Sequence, residues 1–382
     1  MRKALALIVV ALAGALALAQ EPIKIGCLLE FTGACAAYGQ MARDAIEFAR
    51  AVGLVPTEVL GRPIELVYFD ARTEPVEAAT GATRLIEVEK VVAIIGTMCS
   101  GPFLGAAEIV QAAGVPMIGP TTTNPLTTQV GDYCFRACFK DDDQGPVAAA
   151  LARDYFGAKT AAVVIDVAQA YCVGLGQYFI EAFEALGGKV VATLYCRSGD
   201  VDYTAQLTEI QRVNPDIIYT PNYYTEVALM ARQARDLGLT QPILGADGLF
   251  APELIQIGGD AVEGIHFTTF WHPAQATGIG LLYAEKYKEY FGREADAFGA
   301  LAVDCYLLIV DAIQRAGSAD PKAIKEALQT ADLEVVTGRT IMTPEGDPIK
   351  DFYFLKVENG EFVYATMIPA SRAAEIKALM GK

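Results

Sequence analysis

Two histidines and one tryptophan are all that this chain of 382 residues carries, and asparagine occurs four times. With so few imidazoles, any histidine-based acid, base or metal chemistry would fall to His266 and His272 alone. Basic residues are also in short supply: 30 Lys and Arg stand against 46 Asp and Glu, a formal charge of −16. A surface of that sign repels phosphate backbones and anionic lipid, which argues against nucleic acid and against anionic membrane surfaces. None of the eight cysteines has CxxC spacing, so a zinc site is disfavoured and no metal is expected. Gly174-Leu175-Gly176 lacks the third glycine of a dinucleotide fingerprint and does not directly follow a strand pattern, so no nucleotide cofactor is expected. Solenoid repeats and low-complexity tracts are absent. The scarcity of asparagine is a composition seen in heat-adapted proteins.

What is present begins at the N-terminus, where Arg2 and Lys3 precede an apolar run over 4–18 that ends in small residues. This pattern predicts a secretory signal peptide over 1–19, with Ala17-Leu18-Ala19 meeting the small-x-small cleavage rule. Its removal leaves about 363 residues and takes the formal charge from −16 to −18. That length exceeds what one hydrophobic core usually serves, so two lobes are expected. No later segment reaches the roughly 20 uninterrupted apolar residues of a membrane span. The most apolar one, 298–313, is broken by Asp304 and Asp311, and the mature chain is expected to be soluble. The cysteines, free to oxidise after export, are expected to form at most one or two bridges; Cys134 and Cys138 lie closest in sequence, then Cys27 and Cys35.

Periodicity predicts strands at 23–29, 63–69, 91–95 and 116–118, with helices at 40–51, 74–87 and 102–113 between them. Strand–helix alternation of this kind builds a parallel sheet covered on both faces. A second series has strands at 160–165, 190–195, 216–219 and 243–246, and helices at 145–156, 174–186, 203–213 and 226–237. It reads as another doubly wound sheet. Beyond 266–271 come three helical runs, 279–291, 297–316 and 321–329, which must cover a sheet already built. A hairpin turning at Asn359-Gly360 and a helix over 370–380 close the chain.

In open α/β sheets ligands gather beyond the carboxyl ends of strands, so the residues following each strand are the candidates. Ser100 sits just before Pro102 at a helix start, where it either caps the helix or offers its hydroxyl beside free N–H groups to an anion. Thr121, Thr122 and Thr123 lie between two prolines in a rigid hydroxyl-rich loop. Tyr38, Tyr171 and the pair Tyr223-Tyr224 supply apolar walls with a hydroxyl at strand ends. Asp247, before Gly248, is either a turn residue or the partner of a ligand ammonium. The groups divide between the two sheets, an arrangement suited to a molecule with a carboxylate at one end and an ammonium at the other.

At this point the chain resembles the type I periplasmic binding proteins, specifically the branched-chain amino acid family of ABC importers. The likeness runs along essentially the whole mature length and is carried by six segments in order. These are Phe31-Thr32-Gly33 through Tyr38-Gly39, Ile95-Gly96 through Cys99-Ser100, Thr121-Thr122-Thr123-Asn124-Pro125, Gln144-Gly145-Pro146, Asn222-Tyr223-Tyr224 and Gly245-Ala246-Asp247-Gly248.

The resemblance implies two Rossmann-like lobes joined by three crossovers, with lobe 1 at 20–138 plus 271–348 and lobe 2 at 139–270 plus 349–382. It implies that Ser100, Thr121 and Thr123 hold a ligand carboxylate, that Tyr171, Tyr223 and Asp247 are the second-lobe contacts, and that Tyr38 and Trp271 line the side-chain pocket. An amino-acid-like solute, membrane permease subunits as partner, a monomeric state and an extracytoplasmic location follow from it. Two departures stand out. The relatives carry Glu where this chain has Asp247, and the segment facing Cys99 in their disulfide reads Asp70-Ala71-Arg72-Thr73 here, so Cys99 is free or differently paired.

Competing readings are the same fold holding an amide, urea or a small aromatic acid, a sensor, and a hydrolase using Ser100 or Cys99. The last lacks a GxSxG elbow and a histidine near the nucleophile, so no enzymatic activity is expected.

Overall fold

The computed structural model describes residues 21–381; the expected signal peptide lies outside the described residues. Strand β1 (Ile23–Leu29) pairs in parallel with β3 (Arg62–Asp70) on one side and β4 (Ala93–Gly96) on the other. With β2 (Glu58–Val59), β5 (Met117–Gly119) and β6 (Cys134–Arg136) they form a sheet of order β2-β3-β1-β4-β5-β6. Helices α1 (Ala36–Ala51), α2 (Pro75–Glu87) and α3 (Ser100–Ala113) connect these strands. Beside β1 the strand order reverses, which opens a crevice between the loops that follow β1 and β4.

The second sheet has order β15-β14-β11-β10-β9-β7-β8. Its parallel part comprises β7 (Thr160–Asp166), β8 (Lys189–Cys196), β9 (Ile217–Tyr219), β10 (Ile243–Gly245) and β11 (His266–Thr269), and the antiparallel hairpin β14 (Phe352–Glu358) and β15 (Glu361–Ile368) completes it. Here the reversal lies beside β7. The chain thus builds two doubly wound α/β lobes, and their crevices face each other.

Three passages connect the lobes. The chain leaves the first sheet after β6, returns after β11 to place α10 (Gly278–Phe291), α11 (Ala297–Ala316) and α12 (Pro321–Leu328) on the first lobe, and crosses again between the small hairpin β12–β13 (Asp332–Val335, Gly338–Ile341) and β14. One aromatic ring from each passage meets in a cluster: Phe139 lies 4.5 Å from Phe270 and 4.3 Å from Phe352 between ring centroids. Beside it the buried Arg136 guanidinium donates to the Asp347 carboxylate at 2.7 Å and to the Thr122 carbonyl at 2.7 Å, tying the first passage to the third. A guanidinium without solvent needs such fixed acceptors, so these segments hold one geometry.

Helix α11 is long and apolar enough to cross a membrane by length and composition, but 83% of its apolar window is buried within the fold. It packs on α1 and its Asp304, fully buried, accepts the Thr337 hydroxyl. It is a core helix, and the acid that interrupts its sequence is satisfied from the β12–β13 turn.

Sequence and structure differ mainly at helix starts. Helix α1 begins at Ala36 instead of 40, and α6 (Ala170–Ala185) begins four residues before the expected 174. Tyr38 and Tyr171 therefore sit in first helical turns and not in loops. The run expected over 145–156 divides into α5 (Asp141–Ala150) and a π-helical turn over Leu151–Tyr155. The first turn of α1 lies against the end of β1: a side chain at Gly39 would place its Cβ 2.0 Å from the Glu30 carbonyl oxygen. Gly96 has φ +136° and its Cβ would lie 1.9 Å from the Leu28 carbonyl, so β1 and the end of β4 can touch only through glycine. All eight cysteines are buried thiols.

Candidate ligand-binding cleft

Tyr38, Ser100, Thr121, Tyr171, Tyr223 and Asp247 converge on one small space between the lobes, together with Met98, Cys99, Gly248 and Phe298. All six are buried. The space left between them is about 10 Å³, room for roughly one water, so the lobes are drawn together over these side chains and a solute enters only when they part.

The first-lobe wall is built on the ends of β4 and β5. Glu30, at the end of β1, accepts the N–H groups of Met98 at 3.0 Å and Cys99 at 3.1 Å and so fixes the β4–α3 loop. Burial pushes the Glu30 carboxyl up to about 7, while those two amides pull it down. Ser100 opens α3, where the N–H groups of its first turn have no partner inside the helix. The Ser100 hydroxyl accepts from Asn124 N at 3.2 Å, and the Thr121 hydroxyl donates to the Met98 carbonyl at 2.7 Å, which locks the two loops together. This wall presents hydroxyls and helix-start amides, with no cation, to whatever occupies the space.

The second-lobe wall carries a charge. Asp247 follows β10 at the start of a short 3-10 turn, and its Oδ1 accepts from Gln144 Nε2 at 2.8 Å and from the Tyr171 hydroxyl at 2.9 Å. Burial pushes its carboxyl up to about 7, against the pull of those two donors. Gln144 also donates to Thr268 Oγ1 at 2.8 Å, so its amide is oriented from the sheet below. Tyr171 and Tyr223 stack with rings 7° from parallel, and Tyr38 stacks on Phe298 at 4.4 Å. These rings form an apolar wall beside the carboxylate.

Hydrogen bonds cross between the lobes around the cleft. The Tyr38 hydroxyl donates to the Gly248 carbonyl at 2.5 Å, Asn124 Nδ2 donates to the Ala170 carbonyl at 2.9 Å, and Ala37 N donates to the Tyr224 hydroxyl at 3.5 Å. The lobes are closed on each other.

Two of the expected residues lie elsewhere. Thr123 does not line the space; its carbonyl accepts from the backbone N–H of Asp141, the first residue of α5, at 2.9 Å. Trp271 is buried against Tyr283 of α10, with ring centroids 6.3 Å apart, and packs in the first lobe. Conversely, Glu30, Gln144, Asn124 and Phe298 shape the cleft without having been singled out as contacts. Gln144 and Asn124 belong to the quoted segments; Glu30 and Phe298 gave no signal, since one ends a strand and the other reads as an ordinary core position.

The two histidines stay away from the cleft, His266 among Tyr155, Phe156 and Phe354, and His272 near Tyr364. Among the described residues no group of three or more His, Cys, Asp or Glu is placed to hold a metal ion.

A two-lobed α/β fold closed over a small polar cleft defines a solute-binding protein of the type I periplasmic class. The periplasmic binding protein family profile matches residues 22–361, and the chain belongs to this family. A leucine-binding protein, LivK, of Thermotoga maritima is 43% identical and superposes with a TM-score of 0.88 over 91% of this chain and 99% of that one. LivJ of Streptococcus pneumoniae, a branched-chain amino acid transporter substrate-binding protein solved with isoleucine, is 30% identical with a TM-score of 0.84 over 90% and 99% of the two chains. The leucine-, isoleucine-, valine-, threonine- and alanine-binding protein of Pseudomonas aeruginosa is 30% identical over 89% of this chain and 91% of that one.

Proposed function

We propose that this protein is the extracytoplasmic solute-binding component of an ABC importer and that its lobes close on a small branched-chain type amino acid. The observation that carries the reading is the chemical asymmetry of the cleft. Hydroxyls and helix-start amides on the first lobe suit a carboxylate, and a buried carboxylate on the second suits an ammonium. A dipolar molecule bridging the two would satisfy both, and the four aromatic rings would cover its apolar side chain. In this reading Tyr38, Ser100, Thr121, Tyr171, Tyr223 and Asp247 contact the ligand. Thr123 acts through its backbone, whose carbonyl holds Asp141 N, and Trp271 acts through packing. Relatives that bind leucine and isoleucine support the ligand class.

The chain would reach its place through the N-terminal signal, act as a monomer, and present its closed surface to permease subunits. Lobe 1 would comprise 20–138 plus 271–348, and lobe 2 the remainder of the mature chain. Ser100 and Cys99 would bind and not catalyse, since neither has a histidine base within reach.

Thermal denaturation in the presence of leucine, isoleucine, valine, urea, small amides and benzoate tests the ligand class. A ligand at 100 times its Kd adds about 2.7 kcal/mol to stability, enough to move Tm by several degrees. Branched-chain amino acids are expected to produce that shift. A response confined to urea, amides or aromatic acids would overturn the amino-acid reading while leaving the two-lobed binding mechanism in place.

A further inference from the structure

Gly174 and Gly176 both stand inside α6, where glycine is a poor helix former and needs a local reason. Positions two apart on a helix lie on nearly opposite faces, and the two glycines meet different neighbours. A side chain at Gly176 would place its Cβ 2.6 Å from Ile165 Cδ1, so this glycine lets the helix settle on β7. Gly174 meets the first lobe: a Cβ there would lie 3.3 Å from Asn124 Nδ2.

Asn124 is buried, and each of its polar groups is bonded. Its N–H donates to the Ser100 hydroxyl at 3.2 Å and its carbonyl accepts the Thr127 hydroxyl at 2.9 Å, so its backbone is tied to the serine that lines the ligand space. Its Oδ1 accepts Leu126 N at 3.0 Å, which fixes the amide and leaves Nδ2 to donate across the lobes to the Ala170 carbonyl at 2.9 Å. Ala170 is the first residue of α6, and the next residue, Tyr171, donates to Asp247 and accepts Gly248 N at 3.2 Å. One asparagine thus joins the hydroxyl side of the cleft to the helix start that holds its acid.

We propose that Asn124 is the latch coupling the ligand-facing serine of the first lobe to closure of the second, with Gly174 left bare so that the latch can land. This role rests on the reading of the cleft as one that closes over a solute. The bond to Ala170 exists only with the lobes together, whereas those to Ser100, Thr127 and Leu126 lie within the first lobe and survive opening. The latch therefore favours the closed state alone, and its loss is read in the dissociation rate of the ligand.

The full exported chain is compared with Asn124→Ala and Gly174→Leu by stopped-flow kinetics and calorimetry with leucine, and by small-angle scattering without it. Asn124→Ala keeps the backbone bond to Ser100 and removes the bond to Ala170; leucine should leave roughly threefold to tenfold faster with its association rate unchanged. Gly174→Leu keeps every bond of Asn124 within the first lobe and puts a side chain where Nδ2 lands, so it should weaken leucine at least as much. Leucine is the better helix former, so Tm of the empty Gly174→Leu variant should not fall, which separates a latch from a merely structural role. Parent-like dissociation in both variants overturns the proposal, and so does a loss confined to Asn124→Ala. Should the parent itself not bind leucine, the amino-acid reading falls and scattering of the empty chains decides the latch: both variants more extended than the parent support it, and a variant profile equal to the parent's overturns it.

Discussion

The two walls of the cleft solve opposite problems. On the first lobe, Ser100 and Thr121 are neutral groups whose own hydrogen bonds are made within that lobe, to Asn124 N and to the Met98 carbonyl. On the second, Asp247 is an acid removed from water, with a single oxygen bonded to two donors and its carboxyl raised to about 7 by burial. The first wall is stable when empty. The second is held at a cost that an approaching cation would relieve, because a buried charge without a counter-charge is far more expensive than a buried hydroxyl. With the proposed dipolar ligand in place the lobes would be unequal: one would orient it, and the other would supply most of the electrostatic free energy of binding.

The inequality predicts a ranking of substitutions. Asp247→Asn keeps the size and leaves an ammonium without its partner, and it is expected to weaken leucine or isoleucine by about 2–5 kcal/mol in calorimetry. Ser100→Ala removes one hydrogen bond to a charged group and is expected to cost about 1–3 kcal/mol. Part of that loss should appear as lower stability of the empty protein, because Asn124 N loses its acceptor. Equal losses at the two positions would erase the distinction between the walls.

Acidity sharpens the same comparison. A proton on Asp247 competes with the ligand ammonium, so affinity should fall as pH drops below about 7, approaching tenfold per unit. Stability of the empty protein should move the other way at this residue. Its folded pKa lies above the unfolded value, so its contribution is complete at low pH and is lost as pH rises through about 7. Glu30, raised to about 7 on the first lobe, adds a stability change of the same sign. In Asp247→Asn the affinity slope should vanish while the Glu30 part of the stability slope persists. An affinity that does not vary between pH 5 and pH 8 would separate Asp247 from the ligand.

The legible part of this molecule was the part with a local period. Strand β1 and helix α11 stand at their expected residues because alternation and a 3.6-residue apolar stripe specify them without help from elsewhere. Placing candidates after strands was enough to gather six side chains into one cleft, since the crevice position follows from sheet topology. Long-range satisfaction was not legible. Nothing in the neighbourhood of Thr123 says that its carbonyl takes the backbone N–H of Asp141, and nothing beside Trp271 says that Tyr283 takes its ring. Glu30 reads as the polar end of a strand until the fold brings Met98 N and Cys99 N to it. Trp271→Phe is accordingly expected to lower Tm with ligand affinity unchanged, which calorimetry and thermal denaturation on one sample can separate.

The smallest expected effect belongs to a residue that bridges the two walls. Tyr38 springs from the first lobe, stacks on Phe298 of the same lobe, and donates its hydroxyl to the Gly248 carbonyl of the second. Because that bond exists only when the lobes are together, it biases the closed state whether or not a ligand is present. Tyr38→Phe keeps the stacked ring and deletes the bond, so its cost of about 0.5–1.5 kcal/mol should fall on closure. A ligand shifts the opening equilibrium only by its differential affinity for the two states, so the variant should bind more weakly by at most that amount and, when empty, should scatter X-rays as a more extended particle. If the empty variant is as compact as the parent while affinity still drops, Tyr38 contributes directly to the ligand wall and not to the latch between lobes.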